Sequence, residues 1–549
     1  MAVALSPESG ALPSNEPDAP PADLPEAVDV VVIGAGHNGL VCAGYLAAAG
    51  LQVLVLEARE VIGGNTVTEE LTLPGFAHDS CSSAHVLIQS NPLIADDELG
   101  LLSTYGLRYV HTDPAVVLPQ PGGDALVMRR DVEGTAAEIA RWSKPDADSF
   151  RDLLAEWTDG LAAVHGRWSS GFALDADSAN VDSANAASDD AVRRYLALRE
   201  RSAWDVVHER FQDPTVRSMM LWLALATIQD PRRPGTGVLP SSIASGRIRF
   251  GWSTPIGGSG ALPAALVRHL EAHGGAVVCS APVAGIHVAD GRARVVETAD
   301  GRRVTARQGV VSGLHLAQLA GLIDGVDVPA DLAEARDTWR PGLSVFAVHA
   351  ALRADLTFSS QGSPIRSVAA GLGSTEGVAA QLEAFDRGEP DARDPWLLVV
   401  DQTVVDPARA PDGGATFKIL TIAPYLRADG RSWDETKQEF ALALVDRVGA
   451  RVDGLESADI LALRAESPVD VAAHNPHNLG GSCHGGEFLT STGEILPGWP
   501  DYVTQIPGLF LTGATAHPGG SVSGRPGRNA ARAVLQTLGL DPATVMGPT

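Results

Sequence analysis

The sequence predicts an α/β protein organised around one strand–turn–helix–strand unit near its start, and three observations carry that prediction. The first is a β-branched run, Val28, Val30, Val31, Val32 and Ile33, which reads as a strand of a parallel sheet buried on both faces. The second is the glycine spacing that follows, Gly34, Gly36 and Gly39. It opens a segment in which Leu40, Val41, Ala43, Leu46 and Ala47 can face a sheet from a helix ending at Gly50. The third is the apolar stretch 51–56, a second strand that ends on Glu57, about twenty residues beyond the middle glycine.

Each piece has a mechanical reason. Gly34 permits the tight turn, Gly36 lets backbone approach a pyrophosphate, and Gly39 lets helix and strand pack closely. The free N–H groups and positive dipole end of the helix favour phosphate. Glu57 can accept hydrogen bonds from ribose hydroxyls and would repel a 2′-phosphate. The order of strand, glycines, helix, strand and acid predicts a dinucleotide site rather than an empty turn.

The rest of the chain follows in order. Residues 1–27, with Pro13, Pro17, Pro20, Pro21 and Pro25 among Ala, Ser and acids, are expected to form a disordered tail. Gly63 and Gly64 come so soon after Glu57 that backbone is expected to pass the same ligand again. From about 130 to 250 the pattern is helical, broken by a flexible Ala/Ser/Asp/Asn-rich insert at 170–191. The apolar run 219–228 reads as a buried core helix in preference to a membrane dip or tunnel wall. Gly257, Gly258 and Gly260 open another helix, but no apolar strand precedes them and no second dinucleotide site is read there. Short strands are expected at 276–279, 283–288, 294–298, 303–305 and 309–311, then at 344–350, 396–400 and 418–422, with a helix over 433–449. A last strand, 508–512, leads through Gly513, Ala514, His517, Gly519, Gly520, Val522 and Ser523 into a helix beginning near Pro526.

The unit from Gly34 to Glu57, the Gly63–Gly64 pair and the terminal segment from Tyr502 through Leu511, Gly513 and His517 to Gly520 together resemble the phytoene-desaturase-like flavoproteins. The resemblance is nearest to the phytoene dehydrogenase-related branch that includes flavin-type β-carotene ketolases, and it spans most of 28–540. It implies FAD and a Rossmann-type FAD-binding domain with an inserted mixed α+β substrate domain, as in flavin amine oxidases. The expected division is 28–130, 253–330 and 485–549 for the FAD-binding domain, and 131–252 and 331–484 for the substrate domain. Gly34, Gly36, Gly39, Glu57, Gly63 and Gly64 would hold the ADP half, and Val283 would lie beside adenine. Gly513, Ala514, Val522 and Ser523 would follow the ribityl chain and flavin. Asn65 departs from the pattern, since many relatives carry Arg after the glycine pair.

Flavin dehydrogenation needs a substrate C–H held about 3–3.5 Å from the flavin, and a base where a proton also leaves. The candidates near the implied flavin are His517, His85 and Asp79, with His78 and Arg525 behind them. A structural role is the competing reading of each and the favoured one, His78 and His85 orienting loops and Asp79 bonding backbone. His517 is the preferred single candidate because it lies between the last strand and the last helix. His474, His477, Cys483 and His484 match no standard zinc spacing, and no metal is expected. Cys42, Cys81, Cys279 and Cys483 form no CxxC pair, and Ser-His-Asp hydrolysis has no G-x-S-x-G support. A net charge of −26 argues against a nucleic-acid role and against electrostatic docking on anionic lipid, while peripheral contact through an apolar patch stays open. No spanning helix or basic leader is read, so the default location is cytoplasmic.

The expected activity is FAD-dependent dehydrogenation or desaturation of a small apolar substrate, carotenoid or other polyisoprenoid among the candidates; the electron acceptor is left open, with oxygen and a quinone among the candidates. The alternatives are ketolase-like oxygen incorporation, amine oxidation, and a low-turnover flavoprotein with a binding role.

Overall fold

A computed structural model describes residues 24–171 and 189–547. The expected tail, for residues 1–23, and the insert, for 172–188, lie outside the described residues. Glu26 and Ala27 already pair with the strand around Thr305, so the sheet begins inside the stretch expected to be tail.

Strand Ala27–Ile33, helix His37–Ala48 and strand Val53–Leu56 form the first unit. Strand Ala27–Ile33 lies at the centre of an eight-stranded sheet, parallel to Val53–Leu56 on one edge and to Arg303–Ser312 on the other. Ala276–Val278 extends the parallel set beyond Val53–Leu56, and Leu509–Leu511 adds to it beside the end of Arg303–Ser312. Val283–Ala289 and Arg292–Thr298 form an antiparallel ribbon on the same sheet. Helices His37–Ala48, Ala261–Ala272 and Arg525–Thr537 share one apolar core on this sheet, built around Tyr45, Leu266 and Val534.

Two of the expected strands, 303–305 and 309–311, are one. Gly309 reads as a break, yet a Cβ there would lie 2.8 Å from the ring of Phe510, so the glycine is what lets the last strand join.

The second sheet has seven strands, in the order Ile460–Glu466, Val345–Leu352, Ala415–Ile422, Leu397–Asp401, Ala369–Leu372, Val116–Pro119, Ala125–Met128. Its last two strands correct the expected boundary at 130. The hairpin 116–128 is apolar on both faces because it is sealed against Ala369–Leu372 and the helical layer, and so it belongs with the inserted part. Helix Pro214–Leu225, the core of the apolar run, is buried against this sheet. Trp222 donates to Leu397 O at 2.8 Å and covers Gly371, where a Cβ would sit 2.5 Å from the indole. Among the described residues no helix is long and apolar enough to cross a membrane.

Candidate active site

Between the two sheets runs a cavity of about 540 Å³. One end is walled by Gly34, Gly36, Gly39, Glu57, Gly64 and Val283, and Gly513, Ala514 and Val522 lie along the same space. The far end is apolar: Val86, Leu87, Ile228, Ile243, Leu398 and Leu420. Tertiary folding thus brings nine of the eleven expected cofactor residues to one wall. The other two are displaced from it. Gly63 stands behind, donating its N–H to Ala35 O at 2.8 Å, and Ser523 faces an adjoining cavity, its carbonyl held by Asn91.

The glycines divide by what a side chain would meet. At Gly39 a Cβ would lie 2.2 Å from Gly34 O, and at Gly63, with φ of +108°, 2.4 Å from Thr66 O; both are needed for close backbone packing. At Gly36 a Cβ would meet nothing within 4 Å, because it would project into the cavity at the helix N-terminus. That open cradle, with free helical N–H groups facing it, fits a dinucleotide pyrophosphate. Glu57 ends its strand buried, its carboxylate accepting from the N–H of Ala35 at 2.8 Å and of Arg59 at 2.9 Å, which fixes its orientation beside the cavity. Asn38 Oδ1 and His477 Nε2, both on cavity-lining residues, are buried without a hydrogen-bond partner among the described residues. The residues present therefore fit FAD on the shape of the glycine cradle and on unspent polar groups.

Asn65 does not replace an arginine's charge; it braces the wall. Its amide binds Asn478 Oδ1 at 2.8 Å and Cys483 O at 3.0 Å, and its own oxygen accepts from Asn475 and Asn478.

The expected acid–base groups are placed elsewhere. His517 does not line the cavity: its Nε2 pairs with Trp168 O at 2.7 Å, its ring stands edge-on to Trp168, and its carbonyl accepts from Tyr502 at 2.6 Å. Burial lowers its pKa to about 4. It holds the loop before the last helix, and the preference for it as a base is corrected. His85 is also withdrawn, its ring nitrogens engaged with Tyr109 Oη at 3.0 Å and Ser259 Oγ at 2.7 Å. Asp79 sits in a buried ion pair with Arg409 at 2.5 Å and accepts from Thr68 and the N–H of Ser259. Burial would raise its pKa, but Arg409 and these donors outweigh that and hold it low. These two structural groups meet through Ser259, off the cavity. His78 pairs with Thr72, and Arg525 donates to Ser170 Oγ and Ser90 O beside the adjoining cavity.

Other groups take their place on the wall. His37, His477 and His484 are each lowered to about 4 by burial, so their imidazoles are neutral at ordinary pH. His484 lies where its backbone packs on Gly520, against the 513–520 loop. Its Nδ1 is 3.1 Å from Cys483 Sγ. His474, close to both in sequence, is engaged by Glu69 and Arg59 instead, so the His/Cys cluster of the sequence divides into separate pairings. Cys81 and Cys483, distant in sequence, share this wall. A hydrogen bond from the Cys483 thiol lowers the pKa of Cys81, and Cys483 is pushed well above the ordinary thiol range. Local motif reading misses such a pair, since it looks for cysteines close in sequence.

The family model described as flavin containing amine oxidoreductase matches residues 39–535. The chain is 28% identical to a subunit of the limonene dehydrogenase of Castellaniella defragrans, over 93% of this chain and 95% of that protein. It is 24% identical to the lycopene-forming phytoene desaturase of Pseudescherichia vulneris, over 90% and 96%. Cyclohexylamine oxidase from Brevibacterium oxydans shares the fold, with a TM-score of 0.53 at 17% identity, over 93% and 100% of the two chains. A match running through both sheets and along the whole cleft leaves one assignment: the chain belongs to the flavin containing amine oxidoreductase family, as a phytoene-desaturase-like, FAD-dependent oxidoreductase.

Proposed function

We propose that the protein is a dehydrogenase or desaturase that removes two hydrogens from an apolar molecule. The observation that carries this reading is the character of the cleft's far end, where Val86, Leu87, Ile228, Ile243, Leu398 and Leu420 face one another and no carboxylate is present among the described residues. Glu57 is the one carboxylate on the cavity's described walls, and it belongs to the glycine end. FAD, when bound, supplies the two-electron acceptor. The chain's own part is to hold the dinucleotide on the Gly34–Gly39 turn and Glu57, to exclude water with apolar walls, and to present neutral imidazoles, His484 among them, on the cavity wall.

The names of the two relatives, a limonene dehydrogenase and a phytoene desaturase, support an unsaturated or saturated hydrocarbon body. A second cavity of about 420 Å³ shares Val86, Leu87, Thr227, Ile243 and Ser521 with the first, which supports a long, polyisoprenoid-sized substrate extending through both. An ammonium substrate fits poorly, because Arg247 is the charged group at the apolar end.

The test is anaerobic mixing of the holoenzyme with terpenoid and polyene substrates while following the oxidised-flavin band at about 450 nm. Bleaching is expected, with a product lighter by two hydrogens. Bleaching by amines alone, or a product carrying added oxygen, overturns the proposal.

A further inference from the structure

Arg247 stands in the last turns of helix Leu239–Phe250 and forms part of the apolar end of the cleft. It is only 5% exposed, yet among the described residues no acid is paired with it. Its guanidinium lies over the ring of Trp252, 4.2 Å from the centroid. The one acceptor that the described residues offer it is Gly251 O, 3.4 Å from Nη1, and Nε has none. Trp252, 1% exposed and on the same wall, also keeps its indole N–H without an acceptor among the described residues. The other deeply buried arginines are treated differently by the fold: Arg409 is paired with Asp79, and Arg528 with Glu98.

A buried cation without a counter-charge is unfavourable, and buried N–H donors are almost always matched. Here a charged fork and a stacked indole leave donors unspent at the boundary of a ligand-sized space. Arginine's planar donors match a carboxylate in two-point fashion, and the apolar residues around it would strengthen that contact by excluding water.

We propose that Arg247 and Trp252 form a head-group subsite, and that the substrate is an amphiphile with an apolar body ending in a carboxylate rather than a pure hydrocarbon. The proposal rests on the reading of the cleft as an apolar substrate site and adds to it the class of the polar end. The body would occupy the space between Ile243, Leu398 and Leu420, with the carboxylate turned to the Arg247–Trp252 wall.

The test titrates the FAD-loaded protein with three probes of one chain length, decanoate, decanol and decylamine, reading binding by calorimetry and by the shift in the flavin spectrum. Decanoate is expected to bind tighter than decanol by roughly tenfold or more, the scale of a hydrogen bond to a charged group. Arg247→Met should erase that advantage while leaving decanol affinity as it was, and Arg247→Lys should keep part of it. Melting of the ligand-free Arg247→Met protein should be unchanged or higher, because a buried unpaired charge has gone.

Equal binding of decanoate and decanol overturns the subsite but leaves the apolar cleft standing. Failure of decanol and decanoate alike, or a preference for decylamine, overturns both. Unchanged decanoate affinity in Arg247→Met, with a lower melting temperature, makes Arg247 a structural cation at a helix end and also overturns the subsite. Should Arg247→Met not fold, Arg247→Gln removes the charge with less loss of polarity and is read in the same way.

Discussion

Single glycines in the turn do different physical work, although the motif treats them alike. Gly36 has φ of −63° and ψ of 157°, which any residue adopts, and its missing Cβ opens onto the cavity. Gly36→Val is therefore expected to fold with a normal circular dichroism spectrum and to purify without flavin. Gly39→Ala drives a methyl to 2.2 Å from Gly34 O, so its damage falls on the fold itself, at about 1–3 kcal/mol or more by chemical denaturation. Flavin retained by Gly36→Val would move the pyrophosphate away from that helix end. The same distinction explains His517: its place in the sequence put it beside the flavin strand, but its ring is engaged with the Trp168 carbonyl.

At the scale of elements, helix Arg525–Thr537 is held onto helix His37–Ala48 by a buried charge as well as by Ala530, Ala531 and Val534. Arg528 is fully buried and grips Glu98 with two contacts, Nη2 at 2.6 Å and Nε at 2.9 Å, while the Tyr45 hydroxyl donates to the same carboxylate. Arg528→Met should cost about 3–5 kcal/mol in urea unfolding, because it leaves Glu98 buried without its partner. Arg528→Met combined with Glu98→Gln should recover a large part of that loss. A double variant no better than the single one would show that helix packing, and not the stranded carboxylate, sets the cost. The approach of these helices itself depends on Gly527, where a Cβ would lie 2.4 Å from Asn38 O.

Across the whole molecule, the 68–79 hairpin and the loop after it are tied to the inserted part by polar contacts that the hydrophobic pattern does not announce. Lys418, buried in strand Ala415–Ile422, donates to Asp79 O at 3.0 Å, Ser80 O at 3.2 Å and Ser83 Oγ at 3.2 Å. His474, at the end of helix Pro468–His474, pairs with Glu69 of the 68–79 hairpin at 3.1 Å. The hydrogen bond to Glu69 raises the His474 pKa above its ordinary value. A histidine raised in the folded state contributes stability that is fully present below an unfolded value of about 6.5 and lost as pH climbs through the folded value. Wild type should melt above His474→Gln near pH 6, and that margin should shrink toward about pH 8. A margin that grows with pH would reverse the assignment. The effect should be small, since the pair is partly exposed and screened.

Local chemistry is readable from the chain alone. Gly34, Gly36, Gly39 and Glu57 lie within one strand–helix–strand unit, so their spacing implies how backbone, helix end and acid converge on a dinucleotide. Most helices and strands were legible for the same reason, because periodicity reports a face buried by near neighbours. Packing settled everything that depends on residues far apart. It moved the 116–128 hairpin into the second sheet, turned His85 and Asp79 toward Ser259, and set Cys81 against Cys483. It also left Arg247 without an acid among the described residues at the apolar end of the cleft. A side chain's direction follows from the partners that packing supplies, and no local spacing encodes a partner hundreds of residues away.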